Sequence, residues 1–589
     1  MPSYVRDGAT RFSRVGAICF ALLCATAAAA TLAQAGLNTG FDIWDGFAVA
    51  LIALTTAWLA WGAGQAFLGV PSFDPLPDMD LSNADFPATA ILVPICNENP
   101  TEVCARITAM RQSMQAANVP VDFAILSDTF DPDALIAERA ALAPLFADAS
   151  ASNPVFYRNR TDRHGRKAGN VEDFIRKSGG AYEYVVILDA DSLMEGNTIR
   201  HLVARMEADT TLGLLQTLPN IFGAGSLFGR AMQFSASFHS PVFARGLARM
   251  QGRAGPFWGH NAIARVRALS QCCGLPELSG PAPFGGTILS HDYVEAALLV
   301  RGGWRVEMDP RITGSFEEGP DNLLAFARRD RRWCQGNLQH MRLVGAPGLH
   351  GWSRFVFIQG ITAYLVSVAW GAFLIVSLLA AATNASPDYF PNAYQLFPVF
   401  PDDKTFQIVA LAFGIGVLLL LPKLAIFGEA AATGRARGFG GALRALGSVL
   451  AEILLTALIA PIMLMYQSRA VAEVFAGKDG GWPATARGEG RLTLTESWRA
   501  SRWVSLFGIV VTIAVYLLVP NLIYWLLPVT LPMSIAPLLI AVTSHPGNGR
   551  VFTTPQERVT PAVIAAYREN LRTGTAQQGS SHDPIVQPA

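Results

Sequence analysis

Tyr184-Val185-Val186-Ile187-Leu188-Asp189-Ala190-Asp191 decides the fold. An apolar run this short, rich in β-branched residues and ended by charge, reads as a strand buried on both faces of a parallel sheet. Two carboxylates one residue apart at such a strand end suit Mg²⁺ or Mn²⁺ shared with a diphosphate. Such cations take hard oxygen ligands, and phosphate oxygens and water complete the octahedron. The competing reading makes Asp189 and Asp191 caps of a helix beginning near Asn197 and Thr198. The strand-end position in an α/β domain favours the first.

The same grammar repeats on either side. Ala88–Ile95 is a strand expectation followed by Asn97 and Glu98, and Val121–Leu126 is another followed by Asp128. Pro154–Tyr157 is a shorter strand, and 101–117 a helix with Val103, Ile107, Met110 and Met114 at helical spacing. Strands alternating with helices between about 71 and 350 predict an α/β domain, and ligands of open α/β sheets bind beyond the carboxyl ends of the strands. Asn97, Glu98, Asp128, Asp189 and Asp191 should therefore converge on one crevice.

Other segments carry two readings each. Arg163-His164-Gly165-Arg166-Lys167-Ala168-Gly169-Asn170 can cradle phosphate ahead of a helix, or be a solvated basic loop. Asp292, before a helix at Val294–Val300, is either its cap or a general base toward a sugar hydroxyl. Arg328-Arg329-Asp330-Arg331-Arg332-Trp333 is either a diphosphate clamp with Trp333 on a sugar face, or the positive flank of a membrane helix. Phe257-Trp258-Gly259-His260-Asn261 offers a second aromatic platform.

Of 589 residues, 51% are hydrophobic and only 15% charged, against roughly 25% charged in soluble proteins. The excess collects at both ends. Segments 15–35, 46–67, 354–382, 405–427 and 447–466 are each long enough to cross a bilayer, and Trp503–Thr543 is twice that length. Pro520-Asn521 and Pro528 break the last into a hairpin. The first segment carries a cleavage-like Ala33-Gln34-Ala35, but a second span follows at once, so it is taken as a span.

Arg6, Arg11 and Arg14 precede the first span, the loop at 36–45 has no Lys or Arg, and 383–404 has Lys404 against Asp388, Asp402 and Asp403. Loops 428–446 and 467–502 are both basic, which makes the helix between them interfacial or re-entrant. Six spans follow, with both ends cytosolic, and Arg550, Arg558, Arg568 and Arg572 agree; a full crossing at 447–466 would make seven. The expected domains are 1–70 (tail and two spans), 71–350 (cytosolic α/β domain), 351–545 (membrane region with loop 467–502) and 546–589 (cytosolic tail, partly disordered). Formal net charge of zero gives no nucleic-acid footprint. Seven cysteines without a C-x-x-C pair argue against a zinc or disulfide framework and read as reduced thiols. A transporter with a nucleotide-sensing domain is the rival from another class; intramembrane charges, mainly Lys423 and Glu452, are few for an ion pathway.

In order and spacing, Val93-Pro94-Ile95-Cys96-Asn97-Glu98, Leu126-Ser127-Asp128, Lys167-Ala168-Gly169-Asn170, Asp189-Ala190-Asp191, Ser290-His291-Asp292 and Arg332-Trp333 resemble the processive, membrane-embedded family 2 glycosyltransferases, which include bacterial cellulose synthase. The resemblance covers about residues 45–545 and is nearest to the branch that makes osmoregulated periplasmic glucans. It implies a GT-A-like cytosolic domain between transmembrane helices in the bacterial inner membrane, and inverting transfer from UDP-glucose to a glucan acceptor. By the same resemblance Asn97, Glu98 and Asp128 line the uridine pocket, Lys167 and Arg332 reach the UDP, and Asp189 and Asp191 hold Mg²⁺ or Mn²⁺. Asp292 is the base, Trp333 serves the acceptor, and an acyl carrier protein is an implied partner; the platform of Phe257, Trp258 and His260 is read from the residues themselves as a further acceptor surface. Synthases of cellulose, chitin or hyaluronan are the alternatives within the class. Family members usually carry Gln-x-x-Arg-Trp; here Arg329 stands at the Gln position. Gly480 to Arg491 occupies the place of a gating loop without its motif.

Overall fold

The computed structural model describes residues 7–37, 41–76, 86–147, 153–383, 396–397, 405–480, 490–547, 549 and 551–580. Most of the loop expected at 383–404, the centre of the gating-like loop (481–489) and the last nine residues lie outside them.

Helices α1 (Asp7–Leu37) and α2 (Ile43–Gly69) pack as a hairpin. The middle domain then runs β1 (Thr89–Ile95), α3 (Pro100–Ala116), β2 (Asp122–Ser127), α4 (Pro132–Ala147), β3 (Val155–Asn159), α5 (Arg166–Ser178) and β4 (Tyr184–Ile187). It continues with β5 (Leu193–Met194), α6 (Gly196–Ala208), β6 (Leu212–Gln216), β7 (Asn220–Phe222), α7 (Leu227–Phe238) and α8 (Ser240–Gln251). β8 (Ala262–Arg265), α9 (Val266–Cys272), α10 (His291–Arg301), β9 (Arg305–Met308), β10 (Ser315–Glu318) and α11 (Leu323–Gln339) complete it.

Seven strands form one sheet in the order β3-β2-β1-β4-β8-β6-β9. The first four are mutually parallel, and β8 runs antiparallel to both β4 and β6. Period-two side-chain placement divides the core. Ile91, Val93, Phe123, Ile125, Tyr184 and Val186 face α3 and α6, whereas Ala90, Leu92, Ala124, Leu126, Val185 and Ile187 face α5, α9 and α10. Each buried Val, Leu, Ile or Phe contributes about 1.5–3 kcal/mol, so the polar ends of these strands are held on a rigid frame.

Pro94 shows how the crevice opens. β1 pairs with β4 only as far as Leu92 opposite Ile187, with one further bond from Leu188 N–H to Leu92 O. Beyond that the two strands part, so the donor that proline lacks is not needed. The gap lies where Asp189 leaves β4. A second sheet, β5-β10-β7, roofs this end. It had no counterpart among the expected elements, because β5 is two residues long and β7 three.

The remaining helices are α12 (Gly351–Thr383), α13 (Thr405–Ala432), α14 (Ala442–Phe475), α15 (Leu494–Leu518), α16 (Ile523–Ser534), α17 (Ala536–Ser544), α18 (Pro555–Arg558) and α19 (Ala562–Ser580). By length and composition α1, α2, α12, α13, α14 and α15 could each cross a membrane; the α16–α17 pair qualifies together, bent by 59°. The break expected at Pro520-Asn521 ends α15. α14, which covers the 447–466 segment, has 34 residues, about 50 Å of helix. It touches the middle domain near both ends and in between. Ala445 and Val449 pack with Phe234 and Phe238 of α7, Ile462 packs with Phe228 and Leu323, and Glu473 pairs with Arg331 of α11 at 3.3 Å. α1 is fastened to the same domain by Arg14, which donates to the carbonyls of Met250 (2.6 Å) and Gln251 (2.9 Å).

Candidate active site

The carboxyl ends of β1, β2 and β4 open into a cavity of about 1520 Å³ that continues between α2, α8 and α12, where Trp58, Gln65, Gln251, Gln359 and Tyr364 line it. Glu98, Asp128, Lys167, Asp189, Asp191, Trp258, His260, Asp292, Arg332 and Trp333 all line this one space.

Asp128 is locked rather than loose. Arg160 grips it with two bonds (2.6 and 2.8 Å) and Asn170 Nδ2 donates at 2.9 Å. The same guanidinium donates to the carbonyls of His164 and Arg166, so it also shapes the basic loop before α5. Gly169 is required there, since a Cβ would lie 2.1 Å from the His164 oxygen. Glu98 accepts the Cys96 N–H at the end of β1. Asn97 departs from the uridine-pocket expectation: it turns left-handed (φ +62°), its N–H donates to Thr129 Oγ1 at 3.0 Å, and its side chain is not among the groups lining the cavity.

Lys167 Nζ is paired with Asp189 and donates to the carbonyl of Gly259 at 2.6 Å. Burial works to raise the Asp189 carboxyl, but Lys167, His260 and Arg329 hold it well below the usual carboxylate range. Asp189 is therefore ionised. Neither acid caps α6, whose N-cap is Glu195, so the capping alternative fails. Among the described residues no cluster of three or more His, Cys, Asp or Glu could enclose a metal. Asp189 and Asp191 supply two hard oxygens at the cavity wall; that set fits a cation taking its other ligands from a diphosphate and water, not a protein cage.

The Trp258–Asn261 loop closes one side. Asn261 is buried and donates to Ser315 Oγ (2.8 Å) and the Phe316 carbonyl (3.3 Å), pinning the loop to β10. His260 Nε2 lies 3.5 Å from Glu317 and 4.0 Å from Asp189. Gly259 (φ +83°) passes so near Asp292 that a Cβ would sit 3.5 Å from that side chain. The acceptor role expected of Phe257 is corrected here: its ring is 1% exposed and packs with Leu214, Ala262 and Val306 beneath the sheet surface. The platform is Trp258 and His260 alone.

Asp292 lies in the first turn of α10, whose N-cap is Ser290, so Asp292 is not the cap. α11 secures this corner. Gln339 accepts the Leu289 N–H at 3.0 Å, His340 Nε2 meets the Ser290 carbonyl at 3.1 Å, and Gly336 lets the helices close, because a Cβ would sit 2.2 Å from Ser290 Oγ. Burial raises the Asp292 carboxyl above its ordinary range, against the pull of His291. Burial opposes charge on His291, yet the Glu295 carboxylate, 3.3 Å from Nδ1, raises it.

The arginine segment resolves by helical geometry. Arg328, Arg329, Arg332 and Trp333 line the cavity, with the Arg329 guanidinium 4.5 Å from the Trp333 ring centroid. Arg331 turns away to Glu473 and the Lys478 carbonyl (2.9 Å), and buried Asp330 accepts from Tyr364 (3.2 Å) and Gln467 (3.0 Å).

Glu317 is the site residue that sequence reasoning missed. Antiparallel pairing of β10 with β5, immediately after Asp191, brings it to His260. Burial raises its carboxyl, with Asp191 and Asp189 adding to the effect. The available signal was Phe316-Glu317-Glu318-Gly319, an apolar residue running into paired acids as in the Asp189 segment.

Two family models match the chain, Glycosyl transferase family 2 over residues 90–273 and Glycosyl transferase family group 2 over 184–421. The glucans biosynthesis glucosyltransferase H of Cereibacter sphaeroides is 51% identical over 95% of both chains. Its namesake in Rhodopseudomonas palustris strain TIE-1 is 39% identical over 90% of this chain and 76% of its own, and that of Xylella fastidiosa 38% identical over 90% and 86%. Among solved structures, the mannosyltransferase PcManGT from Pyrobaculum calidifontis, in complex with GDP-Man and Mn²⁺, aligns over 74% of this chain and all of its own at 17% identity, with a TM-score of 0.45. On the full-length likeness to the curated relatives, the chain belongs to the glucans biosynthesis glucosyltransferase H family, within the family 2 glycosyltransferases.

Proposed function

We propose that the chain transfers glucose from UDP-glucose to a growing β-glucan at this cavity, on the cytosolic face of the bacterial inner membrane. The observation that carries the reading is the gathering of Asp189, Asp191, Lys167, Asp292 and Arg332, from separate elements, around one space.

The chemistry is a single displacement. Asp292 takes the proton of the acceptor hydroxyl, the hydroxyl oxygen bonds to the glucose anomeric carbon, and the bond from that carbon to UDP breaks. An α-linked donor thus gives a β-glucoside. Burial makes Asp292 a stronger base than an exposed aspartate. Lys167, Arg329 and Arg332 lie at the Asp189 side of the cavity, where negative charge grows on departing UDP. A divalent cation such as Mg²⁺ held by Asp189 and Asp191 would offset that charge further. Asp128 and Glu98 suit the uridine, and Trp258 and Trp333 suit sugar faces. The extension of the cavity between α2, α8 and α12 supplies a route for the glucan into the membrane region.

Orientation follows from contacts and charge together. With α14 lying along the domain, six crossings remain, and the domain, the start of α1 and α19 share one side. The excess of Lys and Arg in the loops on that side supports its being the cytosolic one.

The test supplies membranes carrying the chain with Mg²⁺ and labelled UDP-glucose, UDP-N-acetylglucosamine or GDP-mannose, followed by linkage analysis. A β-linked glucan from UDP-glucose alone is expected. Preference for another donor would assign a different polymer, and turnover of none would remove the enzymatic reading.

A further inference from the structure

After its last membrane hairpin the chain returns across the catalytic domain. Leu227 N–H donates to the His545 carbonyl at 2.8 Å, Gln233 Nε2 to Thr554 Oγ1 at 3.1 Å, and Gln556 Nε2 to the Ile221 carbonyl at 3.0 Å, while Arg230 pairs with Glu557. α19 then lies on α3, its Val563, Ile564 and Tyr567 buried in the same apolar cluster as Ile107 and Met110.

Tyr567 carries this segment to the site. Its hydroxyl accepts from Arg106 Nη2 at 3.0 Å and lies 3.4 Å from Glu318 Oε1, to which it donates; its ring packs edge-on against Phe222. Arg106 is only 2% exposed. Its Nη1 donates at 3.3 Å to the carbonyl of Ala190, the residue between Asp189 and Asp191, and its Nη2 pairs with Glu318 (2.7 Å) and Glu102 (3.1 Å). One buried guanidinium thus joins the returning segment, the paired-acid loop and the strand that bears Glu317.

We propose that residues 551–580 form a strap and that Tyr567 is a positioning residue for the donor site. Tyr567 fixes Arg106, and Arg106 fixes both the Asp189–Asp191 turn and β10. The inference rests on the reading of that turn as the donor diphosphate site. A guanidinium binds as a rigid fork, so withdrawing one partner and admitting water loosens the groups it still holds. The effect falls on donor binding, because Asp292 is secured from the other side by α11. Since the strap follows the last membrane helix, the donor site is complete only after that hairpin has brought the chain back to the domain.

The test compares the wild-type chain, Tyr567→Phe, a chain stopped after Val559, and Asp189→Asn. It reads UDP affinity by calorimetry with Mg²⁺, UDP-glucose KM and kcat, and unfolding temperature. Tyr567→Phe should raise both the UDP Kd and KM about three- to tenfold, the range of one lost hydrogen bond, with kcat within about twofold and the unfolding temperature unchanged. The stopped chain should lose more; if it fails to accumulate, Tyr567→Phe decides alone. Wild-type UDP affinity and KM in Tyr567→Phe, or a loss confined to kcat, would overturn the strap. Wild-type UDP affinity in Asp189→Asn would instead overturn the donor-site reading and remove the strap's basis with it.

Discussion

Asp292, the half-buried carboxylate at the start of α10, is the base in the proposed displacement. Its folded-state pKa is raised, so its stabilising contribution is fully present below the unfolded value and is lost as pH rises through the folded one. At neutral pH the ionised carboxylate therefore costs stability, a cost that fits the base role proposed for it. Asp292→Asn should lower kcat by about 10²- to 10⁴-fold and yet raise the unfolding temperature at pH 8, a gain that shrinks toward pH 4. Paired activity assays and thermal melts check both halves. The acid limb of the wild-type rate profile should likewise lie above the ordinary aspartate range of about 3.9. Asp189, Asp191 and Asp292 stood out in the sequence because each adjoins a recognisable strand or helix start. Glu317 did not, since its place depends on a two-residue strand pairing with a segment more than a hundred residues later. No local period records such a pairing.

At the scale of elements, α11 shows what sequence leaves open and helical geometry closes. Four arginines in five positions support a membrane flank and an anion clamp equally well. A turn of 3.6 residues sends Arg329, Arg332 and Trp333 to the cavity and Arg331 to Glu473 of α14, so the segment serves two faces at once. Arg329, in the place where the family usually has Gln, adds charge beside Asp189 and a cation–π contact on Trp333. Such a contact contributes about 0.5–1 kcal/mol at an exposed site. Arg329→Gln should raise the donor KM roughly two- to fivefold and lower kcat by a similar factor, as measured by initial rates across UDP-glucose concentrations. The strands β1 to β4 were legible because all four are apolar runs ended by polar residues. The antiparallel β8 and the roof sheet were not, because their pairings cross the chain order.

For the whole molecule, hydropathy located the membrane helices, but it could not say which of them crosses. That depends on α14, whose composition admits a span and whose contacts run along the domain from Ala445 to Glu473. Leu443 lies in its first turn and Lys478 just beyond its last. Cysteines placed there in turn should both react with a membrane-impermeant maleimide from the cytosolic side of inverted vesicles; opposite labelling would make α14 a span and change the crossing count. The middle domain needs that fixed placement, because its cavity opens between α2, α8 and α12. The central claim is that one base in this cavity drives direct displacement at glucose. Proton NMR of the first glycosidic bond formed from UDP-glucose, for wild type beside Asp292→Asn, tests it most directly. A β-anomeric signal from wild type and none from the variant is predicted; an α-linkage, or equal product from both, would contradict it.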